Sequence, residues 1–390
     1  MRYCVKITAI ILCVMLLCGC WNRRELNTLG IVLGIGLDKG PRPGEITMTA
    51  QLENTSGSSG QGAAGGGGAP PPPYLNVTNT GTEVFSIVRD YNSEVTRKLY
   101  FPHNQILVFS EELARSGIST HLDFFLRHPE CRLTVTMMVV KGTAFDALST
   151  GPRLEVSPAM DLVNLAQSHE NTSESQNVNL FDFLCARISP GIVPVLPLVT
   201  IEQGKSGPKA VVAGCAVLVD GRMVGTLSGV ETRGMLWVRG EIHCGIINLE
   251  ATDGTVGLEI VKAQSKITPV IRPDGTPMIK VEITETGNLG SQQGRVNQAL
   301  PVTFKLLEEK QSEQIRAEAL LAIALAKDLR ADVFGFGQKF AQHYPKEWET
   351  MTDSWITTFE TLEVEVTVKS TLIGTGKLTM PAYPVKEHVS

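Results

Sequence analysis

The amino-acid sequence predicts an α+β protein of more than one domain, built from mixed or antiparallel β-sheets with flanking helices. Three observations carry this. The chain has 390 residues, more than one ordinary hydrophobic core organises. Strand-like and helix-like segments come in groups, without the regular alternation of a doubly wound sheet. The last part holds a long helical pattern and then the cleanest alternating strand of the chain, with Leu362, Val364, Val366 and Val368 on one face and Glu363, Glu365, Thr367 and Lys369 on the other.

Taken in order, residues 31–37 are apolar and end at Asp38-Lys39-Gly40, the profile of a strand entering a turn. Residues 46–52 alternate strictly, which gives a strand with one dry face. Residues 56–73 contain only Gly, Ser, Ala, Pro and one Gln. No core forms from that composition, so a disordered insert with a stiffer polyproline end is expected. A strand resumes at Tyr74. Thr80-x-x-Glu83 has the form of a capping box, and Val84, Ile87, Val88, Tyr91, Val95 and Leu99 follow at helical spacing. Residues 104–109 and 133–140 read as strands, the second interior because it holds only apolar residues and Thr. A short helix over 122–127 stops at Pro129. Ser157-Pro158 supplies an N-cap and a first-turn proline for a helix to about residue 166.

Pro190, Pro194 and Pro197 punctuate the next stretch, and 204–208 is the candidate interdomain joint. Beyond it, residues 211–219, 223–227, 234–238, 256–266 and 278–284 read as strands separated by Gly-containing turns. Residues 304–329 form a long helix, apolar on more than one side (Ile315, Ala319, Leu320, Ile323, Ala326, Leu329), which suits packing between layers. Glu308, Glu313, Arg316, Lys327 and Arg330 exclude a membrane span there. The expected division is a signal segment at 1–19, an N-terminal α+β domain at 20–203 containing the insert, a linker at 204–208, a C-terminal α+β region at 209–380 open to division into two subdomains, and a tail at 381–390.

The N-terminus predicts location. Arg2 and Lys6 precede an apolar run over 9–17, long enough for a secretory signal and short of the roughly 20 residues a spanning helix needs. Leu17-Cys18-Gly19-Cys20 then has the form of a bacterial lipobox, in which the cysteine thiol takes a diacylglyceryl group and the bond after Gly19 is cut. Asn22, Arg23 and Arg24 end the apolar run at once. Two acyl chains make such an anchor stable where one does not. The mature chain is therefore expected to begin at a lipidated Cys20, outside a cytoplasmic membrane. The attachments expected are diacylglycerol and an N-acyl group such as palmitate on Cys20, with no other cofactor. Of eight cysteines, Cys131, Cys185, Cys215 and Cys244 remain in the body of the chain. None has a closely spaced partner, so neither a zinc centre nor a disulfide is expected.

Other function classes fall away. With 35 Lys+Arg against 40 Asp+Glu, the chain has a net charge of −5 and no general cationic field for nucleic acid. Gly34-Ile35-Gly36-Leu37-Asp38-Lys39 has Lys where a dinucleotide-binding turn needs its third Gly. Gly204-Lys205-Ser206 ends like a phosphate loop, but Val199 stands at the first Gly position. His169-Glu170 lacks a second His one turn on, and Asp332-Val333-Phe334-Gly335 has no accompanying kinase motifs. The seven histidines are scattered, so no enzyme activity is expected.

The order of motifs resembles one family. Cys20-Trp21-Asn22-Arg23-Arg24-Glu25-Leu26 followed by Gly34-Ile35-Gly36-Leu37-Asp38-Lys39 looks like the start of the Ger(x)C family of spore germination lipoproteins. Arg127-His128-Pro129-Glu130-Cys131-Arg132 is similar to its mid-domain segment, as is Gly214-Cys215-Ala216-Val217 with Gly225, Leu227, Glu231-Thr232-Arg233-Gly234 and Leu236-Trp237. The most specific run is Ala331-Asp332-Val333-Phe334-Gly335-Phe336-Gly337, then Tyr344-Pro345-Lys346-Glu347-Trp348, then Trp355. The insert at 56–73 departs from the family pattern.

The resemblance implies several α+β domains with mixed sheets. It also implies the C subunit of a nutrient germinant receptor, tethered to the outer face of the inner spore membrane beside A and B subunits. No catalytic residues come with it. Trp21, Arg23 and Arg24, beside the anchor, are candidate partner contacts, and the alternative for the arginines is a solvated collar. Glu231 and Arg233 are further candidates, the alternative being pairing within the fold. Gly335 and Gly337 are expected to serve the turn after the long helix. Trp348 and Trp355, seven apart, are expected to share a face of one helix and pack in the core. The expected role is a non-enzymatic scaffold or signal-coupling subunit; the competing one is a solute-binding lipoprotein that captures the germinant itself.

Overall fold

The computed structural model describes residues 28–54, 72–94, 96–151, 154–205, 207–251, 253–294 and 296–376, with Arg2, Tyr3, Lys6 and Met380. In chain order the elements are β1 (Leu29–Lys39), β2 (Ile46–Glu53), β3 (Tyr74–Gly81), α1 (Val84–Glu94), β4 (Lys98–Tyr100), β5 (Ile106–Ser110), α2 (Glu111–Ser116) and a 3-10 turn (Ser119–Leu122). There follow α3 (Asp123–Arg127), β6 (Thr136–Lys141), α4 (Ala144–Ser149), α5 (Pro158–Gln167), α6 (His169–Thr172), α7 (Leu180–Ile188), β7 (Val195–Gly204), β8 (Gly207–Val219) and β9 (Arg222–Leu227). The remainder comprises α8 (Gly229–Arg239), β10 (Ile246–Glu250), β11 (Thr255–Ile271), β12 (Pro277–Gln292), α9 (Pro301–Asp328), α10 (Phe336–His343), α11 (Pro345–Met351), a 3-10 turn (Thr352–Ser354), α12 (Trp355–Thr361) and β13 (Glu363–Gly374).

A nine-stranded mixed sheet runs β3-β2-β1-β5-β6-β7-β8-β9, with β4 beside the start of β1. Its centre is parallel (β1, β5, β6, β7) and its margins antiparallel. Parallel strands are stable when both faces are dry. Here Leu107, Phe109, Met137 and Val139 face a core with α1, α2, α3 and α7, while Ile106, Val108, Met138 and Val140 face α4 and α5. The second sheet, β10-β11-β12-β13, is antiparallel except for the β12–β13 pair. Ile279, Val281 and Ile283 on its inner face meet Ile315, Ala319 and Ala322 of α9. Lys280, Glu282, Glu363 and Glu365 on its outer face are exposed. Helix α8 packs on β8 of the first sheet, β11 of the second and α9, so the core of the second sheet takes in Val195, Cys215, Val217 and Leu227 of the first.

The α+β class with mixed sheets is what the sequence predicts, and the interior strand, the long helix and the last strand form where expected. Several elements differ. Thr80 lies in β3, where its hydroxyl bonds Thr47 Oγ1 (2.9 Å), and α1 ends at Glu94, leaving Leu99 to the short strand β4. The expected strand at 234–238 is helix α8, because Ser228 and Glu231 form a capping box ahead of it and local capping overrides a five-residue apolar run. Helix α7 has no counterpart in the sequence reading, and β7 is masked there by its prolines. Pro197 sits inside β7, but pairing with β6 begins only at Leu198, so its missing N–H interrupts no bond to that neighbour. The expected joint at 204–208 is the turn of the β7–β8 hairpin, within the first sheet. The signal segment apart from Arg2, Tyr3 and Lys6, the Gly/Pro-rich insert up to Pro71 and the tail after 380 lie outside the described residues.

Candidate functional site

Of the residues predicted to mark function, Gly19, Cys20, Trp21, Arg23, Arg24 and Glu25 lie outside the described residues. Glu231 and Arg233 are described, and both work inside the fold. Ser228 Oγ accepts the Glu231 N–H (3.5 Å) and the Glu231 carboxylate accepts the Ser228 N–H (2.7 Å), closing the N-terminus of α8. Two residues later Arg233 turns inward. Its Nε donates to Glu318 Oε2 (2.8 Å) and its Nη2 to Oε1, while Trp237 Nε1 (3.1 Å) and Gln314 Nε2 (3.0 Å) donate to the same carboxylate. The Glu318 side chain is 1% exposed, so this two-point pair is held in a dry setting. Gly234 permits it: a Cβ there would lie 2.1 Å from the Glu318 carbonyl oxygen. Arg233 thus pairs within the fold, on the face of α8 that meets α9, while Glu231 caps its own helix. Arg239 likewise donates inside the fold, to Glu241 (3.0 Å) and Gln176 (3.4 Å).

The run 331–337, most specific in the sequence, is a buried knot between the two sheets. Asp332 Oδ1 accepts the N–H groups of Phe334 (3.2 Å) and Phe336 (3.1 Å), and Oδ2 accepts those of Gly337 (2.8 Å) and the Trp355 indole (3.2 Å). Burial pushes this carboxyl up to about 6 against the opposing pull of these four donors. Gly335 has φ +73°, the left-handed conformation that suits glycine, and it opens α10. Gly337 lies against Gly191, where a Cβ would come within 2.6 Å of the Gly191 Cα and 2.7 Å of the Trp355 ring. The Val193 N–H donates to the Asp332 carbonyl (2.8 Å), tying the approach to β7 to the same knot. Trp348 and Trp355 lie on separate helices, α11 and α12, rather than one, because the 3-10 turn resets the phase between them. Their rings still meet edge to face at 5.2 Å, both nearly buried.

The other glycine motif, 34–39, is also structural. A Cβ on Gly34 would lie 2.7 Å from that of Ala159 in α5, and one on Gly36 2.9 Å from that of Ala144 in α4. Asp38 then accepts the N–H groups of Ala144 (2.7 Å) and Phe145 (3.0 Å) at the start of α4. The missing third glycine thus has a counterpart: this part of β1 seats helices from elsewhere in the chain.

A cleft of about 990 Å³ opens on the first sheet's unit, lined by Glu83 and Phe85 at the start of α1, His121, Phe124, His128 and Arg187. The Phe124 ring lies 6.2 Å from Phe85, 5.5 Å from Phe101 and 5.0 Å from His128. Burial holds His121 below its ordinary pKa, so it is neutral at neutral pH. Arg127 bonds Asp123 (2.8 Å) on the rim, and His128 Nδ1 accepts the Glu130 N–H (3.3 Å). The motif Arg127-His128-Pro129 signals half of this cleft; Phe85 and Arg187 are far apart in sequence and carried no signal. A smaller cavity of about 230 Å³ sits at the knot, lined by Gly191, Arg330, Asp332 and Trp355 among others.

Among the described residues no group of three His, Cys, Asp or Glu is placed to hold a metal. Cys131, Cys185, Cys215 and Cys244 are free. Burial pushes the Cys131 thiol up to about 12 and the Cys215 thiol up to about 11, so neither is a ready nucleophile. No described helix is long and apolar enough to cross a membrane.

Comparison with known proteins adds to this geometry. Residues 22–201 match the family described as "Spore germination protein N-terminal domain" and residues 213–376 that described as "Spore germination B3/ GerAC like, C-terminal". The two matches meet across the β7–β8 hairpin. Spore germination protein YndF of Bacillus subtilis (strain 168) is 28% identical over 397 residues, covering 94% of this chain and 96% of its own. Spore germination protein KC of the same organism is 26% identical over 91% of each chain, and Spore germination protein B3 22% identical over 96% of this chain and 99% of its own. The crystal structure of the GerBC protein superposes with a TM-score of 0.54 at 18% identity, over 90% of this chain and 100% of that one, a likeness of fold.

Proposed function

Because the chain belongs to the GerAC-like family of spore germination proteins, we propose that it is the lipid-anchored C subunit of a nutrient germinant receptor. In this reading it is a non-enzymatic scaffold that couples the A and B subunits at the outer face of the inner spore membrane. The observation that carries the anchored part is the run Leu17-Cys18-Gly19-Cys20 behind a cationic start and a short apolar core. It places one thiol where a diacylglyceryl group would be attached, and the two chains would hold the body to the bilayer. The rigid joining of the two sheets through α8, the Glu318 pair and the Asp332 knot supports a scaffold, since such a body transmits a push without absorbing it.

The test is Cys20→Ala, followed by membrane fractionation and a nutrient germination assay. The expected result is release of the chain from the membrane and loss of the nutrient response. Release with normal germination would sink the anchored-receptor reading. The competing reading, direct capture of a germinant, has the 990 Å³ cleft in its favour. Calorimetric titration of the ectodomain with single nutrients separates the two: saturable heats abolished by Phe124→Ala favour capture, and their absence favours the scaffold.

A further inference from the structure

In β12 the alternation that turns Val281 and Ile283 toward α9 continues to Glu285, so a carboxyl group points to the dry side of the sheet. Glu285 is 2% exposed, Gln311 of α9 is 0% exposed and Ser370, the register partner of Glu285 on β13, is 5% exposed. Both carboxyl oxygens of Glu285, both amide atoms of Gln311 and the Ser370 hydroxyl have no hydrogen-bond partner. Gln311 and Ser370 lie beside the carboxyl, just outside hydrogen-bond geometry. Gly287 keeps the space between them open, since a Cβ there would stand 2.7 Å from Glu285 Oε1 and 3.3 Å from Gln311 Nε2.

No ion pair among the described residues reaches this carboxyl. On α9 the charged group that acts on it is Glu308, which repels it and whose Oε1 accepts the Leu372 N–H (2.8 Å). Arg316, further along α9, donates to the Val366 carbonyl (3.1 Å). From β13 comes the neutral Ser370 and from β11 the neutral Ala263, the register partner of Glu285 on that side. Glu259 and Lys262 of β11 are exposed.

The donor inventory selects the protonation state. An ionised Glu285 offers acceptors alone, and the Ser370 hydroxyl is then the one neighbouring donor left for Gln311 Oε1 and the second carboxylate oxygen together, one too few. A protonated Glu285 donates its O–H to Gln311 Oε1, Gln311 Nε2 donates back to the other carboxyl oxygen, and the Ser370 hydroxyl completes the set. A buried polar group left unmatched is destabilising, so the neutral acid is the form that fits. We propose that Glu285 and Gln311 form a buried proton-binding latch, an acid–amide pair that clamps α9 to β12 and β13 while Glu285 is neutral and slackens as it ionises.

Burial is the largest cause acting on Glu285 and Glu308 adds to it, raising the carboxyl from 4.5 to about 7 against the pull of Ser370 and Gln311. A folded-state pKa above the unfolded one means that this stabilisation is complete below about 4.5 and is lost as the pH rises through about 7. Two measurements on the purified full chain test the latch. Infrared difference spectra between about pH 6 and about pH 8 should show a protonated carboxylic C=O band that titrates near 7 and is missing in Glu285→Gln. Over the same range the wild-type melting temperature should fall more steeply than that of Glu285→Gln, whose amide keeps the donor-acceptor match at every pH. Absence of the band in the wild type, or an unchanged pH slope in the variant, would overturn the proposal; the first reading stands even if the variant fails to fold.

Discussion

The two sheets solve one problem in opposite ways. The nine-stranded sheet has a parallel centre and must be covered on both faces, so β5 is buried along all five residues, four of them apolar in a row before Ser110. The four-stranded sheet is covered on one face by α9, and its other face is wet, so β13 alternates. Buried polarity follows the same division. In the first sheet Asp38 is absorbed as a helix cap, a local solution supplied by two backbone donors. In the second unit three buried acids lie on or beside α9, and they differ by what surrounds them. Glu318 has a guanidinium, Asp332 has four N–H donors, and Glu285 has no donor in geometry. Placement of a carboxyl in a core therefore says little about its charge until its donors are counted.

Variants sharpen this contrast. Glu318→Ala leaves the Arg233 guanidinium, with a side chain 12% exposed, without its counter-charge in the core. A loss of about 3–5 kcal/mol is expected in the unfolding free energy measured with urea, the largest of the set. A change below about 1 kcal/mol would mean that α8 and α9 are joined by apolar packing alone. Asp332→Asn places an amide –NH2 against N–H donors of Gly337 or Trp355 and should lose about 2–3 kcal/mol, with a shift of tryptophan emission as the Trp355 contact opens.

On the first sheet, Gly36→Val drives a branched side chain into Ala144 and Leu148 and should lose about 1–3 kcal/mol by overpacking. Stability equal to wild type would contradict the close seating of α4. At the other extreme, Lys280→Ala on the wet face removes an ion pair with Glu365 at 3.5 Å, both side chains about half exposed. It should change stability by less than about 0.5 kcal/mol, and a salt titration should leave that difference near zero.

Much of the architecture was legible. Strict alternation marked β2 and β13, an apolar run marked β6, and Ser157-Pro158 marked α5, because each signal is local; the single dry face expected of β2 is corrected, since Thr49 and Gln51 are buried as well under the helices on the sheet's other side. The elements that escaped were those where two local signals competed. Residues 234–238 read as a strand, but Ser228 and Glu231 cap a helix there, and it forms because α9 offers that helix a face to bury. The joint expected at 204–208 falls at the turn of the β7–β8 hairpin, between the two family matches, while the strand pairing runs on through it.

For the site the division is sharper. Arg233, Gly234, Asp332 and Trp355 drew notice as a pattern, but their partners Glu318, Gln314 and Gly191 lie far away along the chain, and no spacing rule connects them. By itself the sequence determined the class of fold, most of the strands and the expectation of a lipidated Cys20, since these depend on composition and near neighbours. Tertiary structure alone decided that Arg233 turns inward, that two glycines let separate parts of the chain touch, and that Glu285 faces Gln311. Charge state and close approach depend on what lies across space, and that is set only when the sheets and α9 close upon each other.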